Sequence, residues 1–152
     1  MQPNVMDINR ILNLNIPDIH SAYGGVRGKT MSAHGQNYAW PVIKDAGVHT
    51  IIDLRNDGMN QRMQNLCEEY GMEYFYYPVD NRADVVESMV SLFTEFCERI
   101  DRGGFYIACA MGLHRTDIAL STYWVFYGAD KGKEPLTLQG YLKESGHGTS
   151  KI

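Results

Sequence analysis

The chain has 152 residues, 44% of them hydrophobic and 21% charged, the balance of a soluble globular protein long enough for one domain with a buried core that needs no metal or disulfide. Its net charge of −4 excludes a general binder of nucleic acid or of membrane surfaces, both of which depend on a basic field. Three cysteines without small-domain disulfide spacing, no apolar signal-like segment at Met1 to Val5 and no run long enough to span a bilayer point to the reducing cytoplasm.

In chain order, the first marked segment is glycine-rich, Tyr23-Gly-Gly-Val-Arg27-Gly-Lys29-Thr-Met-Ser-Ala-His34-Gly35. It reads as a loop, or a strand followed by a loop. Its glycine spacing fits no phosphate-loop or dinucleotide fingerprint, so turn-making explains it better. Arg27, Lys29 and His34 are placed by this reading on a loop that could approach a cleft. A short helix follows over 38–46, entered near Pro41 and closed by Gly47, and then a buried strand over 49–55, His49 to Arg55. Met63, Leu66, Cys67 and Tyr70 recur at helical spacing up to Gly71, and Tyr74 to Val79 gives the next strand. Val86, Met89, Val90, Phe93, Phe96, Cys97 and Ile100 form one helical stripe, opened by Asp84 with Glu87 three residues on and stopped by Gly103-Gly104. Cys67 and Cys97 fall on apolar helix faces and read as small core residues.

Phe105 to Ala108 is a short apolar strand, and 115–127 is a helix apolar on most sides, as burial against a sheet requires. Pro135 introduces a last helix over 136–144, with a polar tail behind it. Strands alternating with helices define an α/β fold: a single domain with a central, mostly parallel sheet of about four or five strands and helices on both faces. Ligands of such sheets bind beyond the carboxyl ends of the strands.

At one such end lies Cys109-Ala110-Met111-Gly112-Leu113-His114-Arg115-Thr116. A strand delivers a thiol to a loop that turns into a helix, whose free N–H groups and positive dipole end favour an anion. Gly112 lets the loop backbone curl into an anion nest. Arg115 offers a planar fork for two oxyanion oxygens. The same field should draw the Cys109 pKa down from about 8.5 toward the roughly 3.5 to 7.5 of thiols at helix N-termini, making it a nucleophile. Thr116 can hydrogen-bond the sulfur and help it leave.

Cys109, Gly112, Arg115 and Thr116 match the Cys-x-x-Gly-x-x-Arg-Thr signature of cysteine-dependent protein tyrosine and dual-specificity phosphatases, which this sequence resembles over about Val48 to Trp124. His114 before Arg115 resembles the plant and fungal atypical branch, some of whose members act on inositol phosphates. The resemblance implies one phosphatase-like domain over 1–152, a phosphocysteine intermediate, no cofactor and no metal. Cys109, Arg115 and Thr116 would be catalytic, and 110–115 (Ala110, Met111, Gly112, Leu113, His114, Arg115) would hold the phosphate. Two positions depart from the pattern. Ala108 stands where most relatives have the loop-tying histidine, and Asp117 where most have glycine; Asp117 should point away from the thiol, since a carboxylate turned inward would oppose it.

The leaving oxygen of a phosphate monoester needs a proton from a positioned acid. Asp80, at the end of the Tyr-Pro-Val strand, resembles the family's general-acid loop and lies one crossover helix before Cys109; Asp84 is the rival, although its Asp-x-x-Glu pattern suits an N-cap. Asp53 reads as a structural strand-end residue. Arg55 and Arg82 could line the mouth of the site. The expected partner is a phosphorylated protein or a small phosphorylated substrate, with phosphate or sulfate seated in the loop and neither nucleic acid nor membrane. Apolar Ala110, Met111 and Leu113 favour a phosphotyrosine-type substrate over an inositol phosphate, while His114 pulls the other way. A phosphate-binding pseudophosphatase and a rhodanese-like sulfur carrier are the competing readings.

Overall fold

The computed structural model of the chain describes residues 6–79, 92–110 and 114–135, His114 by its backbone alone. After a short helix α1 (Ile8–Leu12), strands β1 (His20–Ala22) and β2 (Gly25–Arg27) pair antiparallel around Tyr23-Gly24. Both turn residues have positive φ, 48° and 81°, the condition for a tight hairpin whose twist matches its strands. The glycine-rich segment therefore starts with a hairpin turn, and Arg27 belongs to a strand rather than to a loop. Gly25 is fixed by packing: a Cβ there would come within 2.6 Å of the Phe105 ring.

Helix α2 (Ala39–Asp45), β3 (Thr50–Asp53), α3 (Gln61–Tyr70), β4 (Glu73–Tyr76), α4 (Phe93–Arg102), β5 (Phe105–Ala108) and α5 (His114–Tyr123) follow, with a 3-10 turn over His34–Gln36. The sheet has five strands in the order β1-β2-β5-β3-β4. All neighbours except β1 and β2 run parallel, so the fold is α/β with a mostly parallel sheet. Asn60 caps α3, its side chain accepting from the Met63 N–H at 2.9 Å, and Gly71 closes it with φ 69°. Among the described residues no helix is long and apolar enough to cross a membrane.

Strand alternation splits the core into two layers. Ile51, Tyr106, Ala108 and Val26 face α1, α2 and α3, where Trp40, Ile43, Met63 and Cys67 meet them. Ile52, Phe105, Ile107 and Cys109 face α4 and α5, against Phe96, Cys97, Ile100, Leu120 and Tyr123. Helices thus cover both faces, and each fully buried aliphatic side chain contributes about 1.5–3 kcal/mol. Cys67 and Cys97 lie in separate layers as free thiols. Burial pushes each of them up to about 12, consistent with inert core residues.

The helix expected over 115–127 is α-helical only to Tyr123 and widens into a π turn over Trp124–Gly128. Thr122 donates its hydroxyl to the Ile118 carbonyl at 2.7 Å, which competes for an acceptor of the next turn and loosens the helix there. Val125 and Phe126 consequently face outward, 63% and 59% exposed, against the expectation that this run is buried. The first part of the apolar stripe, 86–90, with Asp84 and Glu87, and the expected helix over 136–144 lie outside the described residues.

Candidate active site

The carboxyl ends of β5, β3 and β4 converge on one point. Leu54 N–H donates to the Ala108 carbonyl at 2.8 Å, and Val79 N–H to the Leu54 carbonyl at 3.2 Å, so three chain segments leave the sheet side by side. Cys109 is the first residue beyond β5, buried at 3% exposure, and Ala110 after it is exposed.

Thr116, fully buried in the first turn of α5, ties that turn to the end of β5. Its Oγ1 accepts from the Cys109 N–H at 3.1 Å, and its hydroxyl donates to the Cys109 Sγ at 3.2 Å. One hydroxyl therefore fixes both backbone and sulfur of the cysteine, the contact anticipated from the sequence. A donor aimed at sulfur stabilises the thiolate more than the thiol. Arg115 turns the other way, across the strand ends. Its Nη1 donates to Asn56 Oδ1 at 3.1 Å and to the Val79 carbonyl at 3.4 Å. Among the described residues both bonds run through Nη1, so the Nε–Nη2 edge is the fork left for a second, bidentate partner.

Asn56, which sequence reasoning passed over, is placed by a rigid turn. The Asp53 carboxylate, wholly buried at the end of β3, accepts from the Arg55 N–H at 3.1 Å, from Arg55 Nε at 3.0 Å and Nη2 at 2.9 Å, and from the Tyr74 hydroxyl at 2.5 Å. Arg55 also pairs with Asp57 at 2.9 Å. Burial, reinforced by Asp53, pushes the Tyr74 hydroxyl above its ordinary range. Asp53 is thus the structural residue expected, and the Arg55 guanidinium, expected at the mouth of the site, is taken up by two carboxylates. The signal for Asn56 was its position three residues past a buried strand that neighbours the cysteine strand, where α/β sheets put their ligand contacts.

Arg27 is also moved from its expected place. It is wholly buried and forms an ion pair with Asp117, itself 4% exposed. Lys29 is half-buried and its backbone carbonyl accepts from Tyr106 at 2.6 Å; His34 is exposed in the 3-10 turn. Met111, Gly112 and Leu113, the side chain of His114, and Asp80, Arg82 and Asp84 lie outside the described residues. No cluster of three or more His, Cys, Asp or Glu side chains able to hold a metal occurs among the described residues.

No family model matches the chain, and no curated protein matches it significantly. Solved structures do, in fold. A DUF442 protein of Shewanella putrefaciens CN-32, classed as a phosphatase by inference, superposes with TM-score 0.61 at 20% identity over 88% of this chain and 83% of its own. A second structure under the same description gives 0.57 at 22% identity, over 86% and 80%. The core catalytic domain of the Saccharomyces cerevisiae PP-IP phosphatase SIW14, solved with citrate, gives 0.53 at 15% identity over 87% of each chain. At these identities the likeness is one of fold: the architecture is that of phosphatase-type α/β domains.

Proposed function

We propose that the protein is a cysteine-dependent phosphatase that hydrolyses phosphate monoesters through a phosphocysteine intermediate. The observation that carries this reading is the double hydrogen bond of Thr116 to the backbone and sulfur of Cys109, with Arg115 beside it spanning to the ends of β3 and β4. A thiol held at a strand end, under a helix N-terminus and next to an arginine fork, suits attack on phosphorus.

In this reading the Cys109 thiolate attacks phosphorus in line, the ester oxygen leaves with a proton from Asp80, and water then displaces the thiolate with Asp80 as base. The loop amides of 110–115 and Arg115 hold the equatorial oxygens and gain strength as charge develops in the transition state. The Asp80 role draws support from the bond between Arg115 and the Val79 carbonyl, one residue upstream. No metal or cofactor takes part.

A phosphotyrosine-type protein substrate fits the apolar loop residues Ala110, Met111 and Leu113. A second reading within the same chemistry, an inositol phosphate, is favoured by His114 and by the fold shared with an inositol pyrophosphate phosphatase. The test is turnover of an aryl phosphate in the presence of EDTA. Wild type should release phosphate, Cys109→Ser should abolish release, and Arg115→Lys should lower kcat/KM by about 10²- to 10³-fold. Tight phosphopeptide binding without turnover would replace the enzyme by a pseudophosphatase. A panel of phosphotyrosine peptide, phosphoserine peptide and inositol phosphates separates the two substrates by kcat/KM.

A further inference from the structure

A carboxylate in the first turn of a helix suits the helix dipole, but beside a thiolate it opposes the negative charge there. Asp117 holds that place in α5, adjoining Thr116, which grips the cysteine sulfur. Its partner comes from the neighbouring strand. Arg27 is the register partner of Ile107 in β5, two residues before Cys109. Val26 faces the α1–α3 layer, so Arg27 faces the other layer with Ile107 and Cys109. There it meets Asp117 in an ion pair whose side chains are only 1% and 5% exposed. Charges screened so little by water act over the distance of a loop.

We propose that the Arg27–Asp117 pair is a charge-balancing and positioning device for the Cys109 loop. Arg27 cancels the carboxylate that would otherwise oppose both thiolate and phosphate, leaving the helix N-terminus and Arg115 to set the field. The pair also ties the first turn of α5 to β2, a tether that Ala108, without a polar side chain, cannot supply. The effect on phosphate rests on the phosphatase reading; the effect on the thiol does not. His20 feels the charges of Arg27, Asp18 and Asp117, and Tyr23 and Glu134 line the same cavity as His20 and Arg27.

The experiment measures the rate at which iodoacetamide alkylates Cys109 in the whole protein as a function of pH, site by site through mass spectrometry. Cys67 and Cys97, buried and pushed up to about 12, stay silent in the folded protein, and Cys109→Ser sets the background. Arg27→Gln removes the cation that faces Asp117 and should raise the midpoint by about one pH unit. Asp117→Asn removes the negative charge while Arg27 stays and should lower it by a similar amount, about one unit. The double variant should return it to the wild-type value, and Arg27→Lys should rescue the midpoint relative to Arg27→Gln. A purely structural pair would move both single variants the same way, or neither, and that result overturns the proposal. Should Arg27→Gln fail to fold by circular dichroism, Asp117→Asn decides alone: a lowered midpoint supports the proposal and an unchanged one defeats it. Loss of aryl phosphate turnover in wild type would remove the phosphatase reading while leaving this readout intact.

Discussion

Two buried aspartate–arginine pairs stand near Cys109, and they are built on opposite plans. Asp53 and Arg55 are next-but-one neighbours in the chain, and their turn also engages Tyr74. Asp117 and Arg27 belong to a helix and a strand that only the folded sheet brings together. The first pair is a local clamp whose carboxylate is saturated with donors, and what it delivers is the position of Asn56 under Arg115. The second is a long-range pair whose value lies in cancelling charge. A carboxylate with several donors cannot be replaced by a hydrocarbon without stranding them.

That difference sets the largest expected effect. Asp53→Ala should cost about 3–5 kcal/mol, because it leaves the buried Arg55 guanidinium with the exposed Asp57 carboxylate and strands the half-buried Tyr74 hydroxyl. Urea denaturation followed by circular dichroism measures it. The paired replacement Arg27→Met with Asp117→Leu should by contrast cost less than Asp53→Ala, since both charges leave together. If Asp53→Leu with Arg55→Met is tolerated equally well, the two pairs are energetically alike and the distinction fails.

A smaller effect sharpens the same contrast. Tyr74→Phe removes one donor to the Asp53 carboxylate and the acceptor of the Asn60 N–H, so it should cost about 1.5–3 kcal/mol. Titration of the wild-type phenols at 295 nm should also show Tyr74 holding its proton above its ordinary value of 10.0. An unshifted phenol and an unchanged urea midpoint in Tyr74→Phe would mean that Arg55 alone satisfies the carboxylate.

The same distinction between local and long-range pairing explains what was legible in the sequence. Whatever is written in neighbouring residues was readable: the strand that ends before Cys109 and the helix that carries Thr116, the stop of α3 at Gly71, the role of Asp53 at a strand end, and the parallel α/β class. Elements whose identity depends on packing were not. The β1–β2 hairpin is too short for period-two patterning to show, and α1, with five residues, is a helix because Ile11 fills the α2 layer rather than because of its propensity. The outward turn of Val125 and Phe126 follows from a backbone distortion that composition does not announce. Asp117 was expected to point away from the sulfur, but nothing local could name Arg27 as its partner, because β2 and β5 meet only through the sheet order.

The smallest expected effect is a pH dependence found at the hairpin pair alone. His20 faces Arg27 across the hairpin, and its pKa lies below the ordinary 6.5 through burial first and then the Arg27 charge, with Asp18 and Asp117 pulling the other way. A histidine lowered on folding binds fewer protons in the native state than in the unfolded one, so its contribution is intact above the unfolded pKa and is lost as pH falls from there through the folded value. The melting temperature should therefore drop more between about pH 7.5 and about pH 5.5 in wild type than in His20→Asn. Arg27→Gln should fall between the two, because burial then opposes protonation without the guanidinium while the two aspartates favour it. The turn pair, which has a tyrosine where the hairpin pair has a histidine, should show no such slope: Tyr74→Phe should shift the whole stability curve down without tilting it over this range. A slope that survives unchanged in His20→Asn would assign the acid sensitivity to groups elsewhere and leave the two pairs equally indifferent to pH.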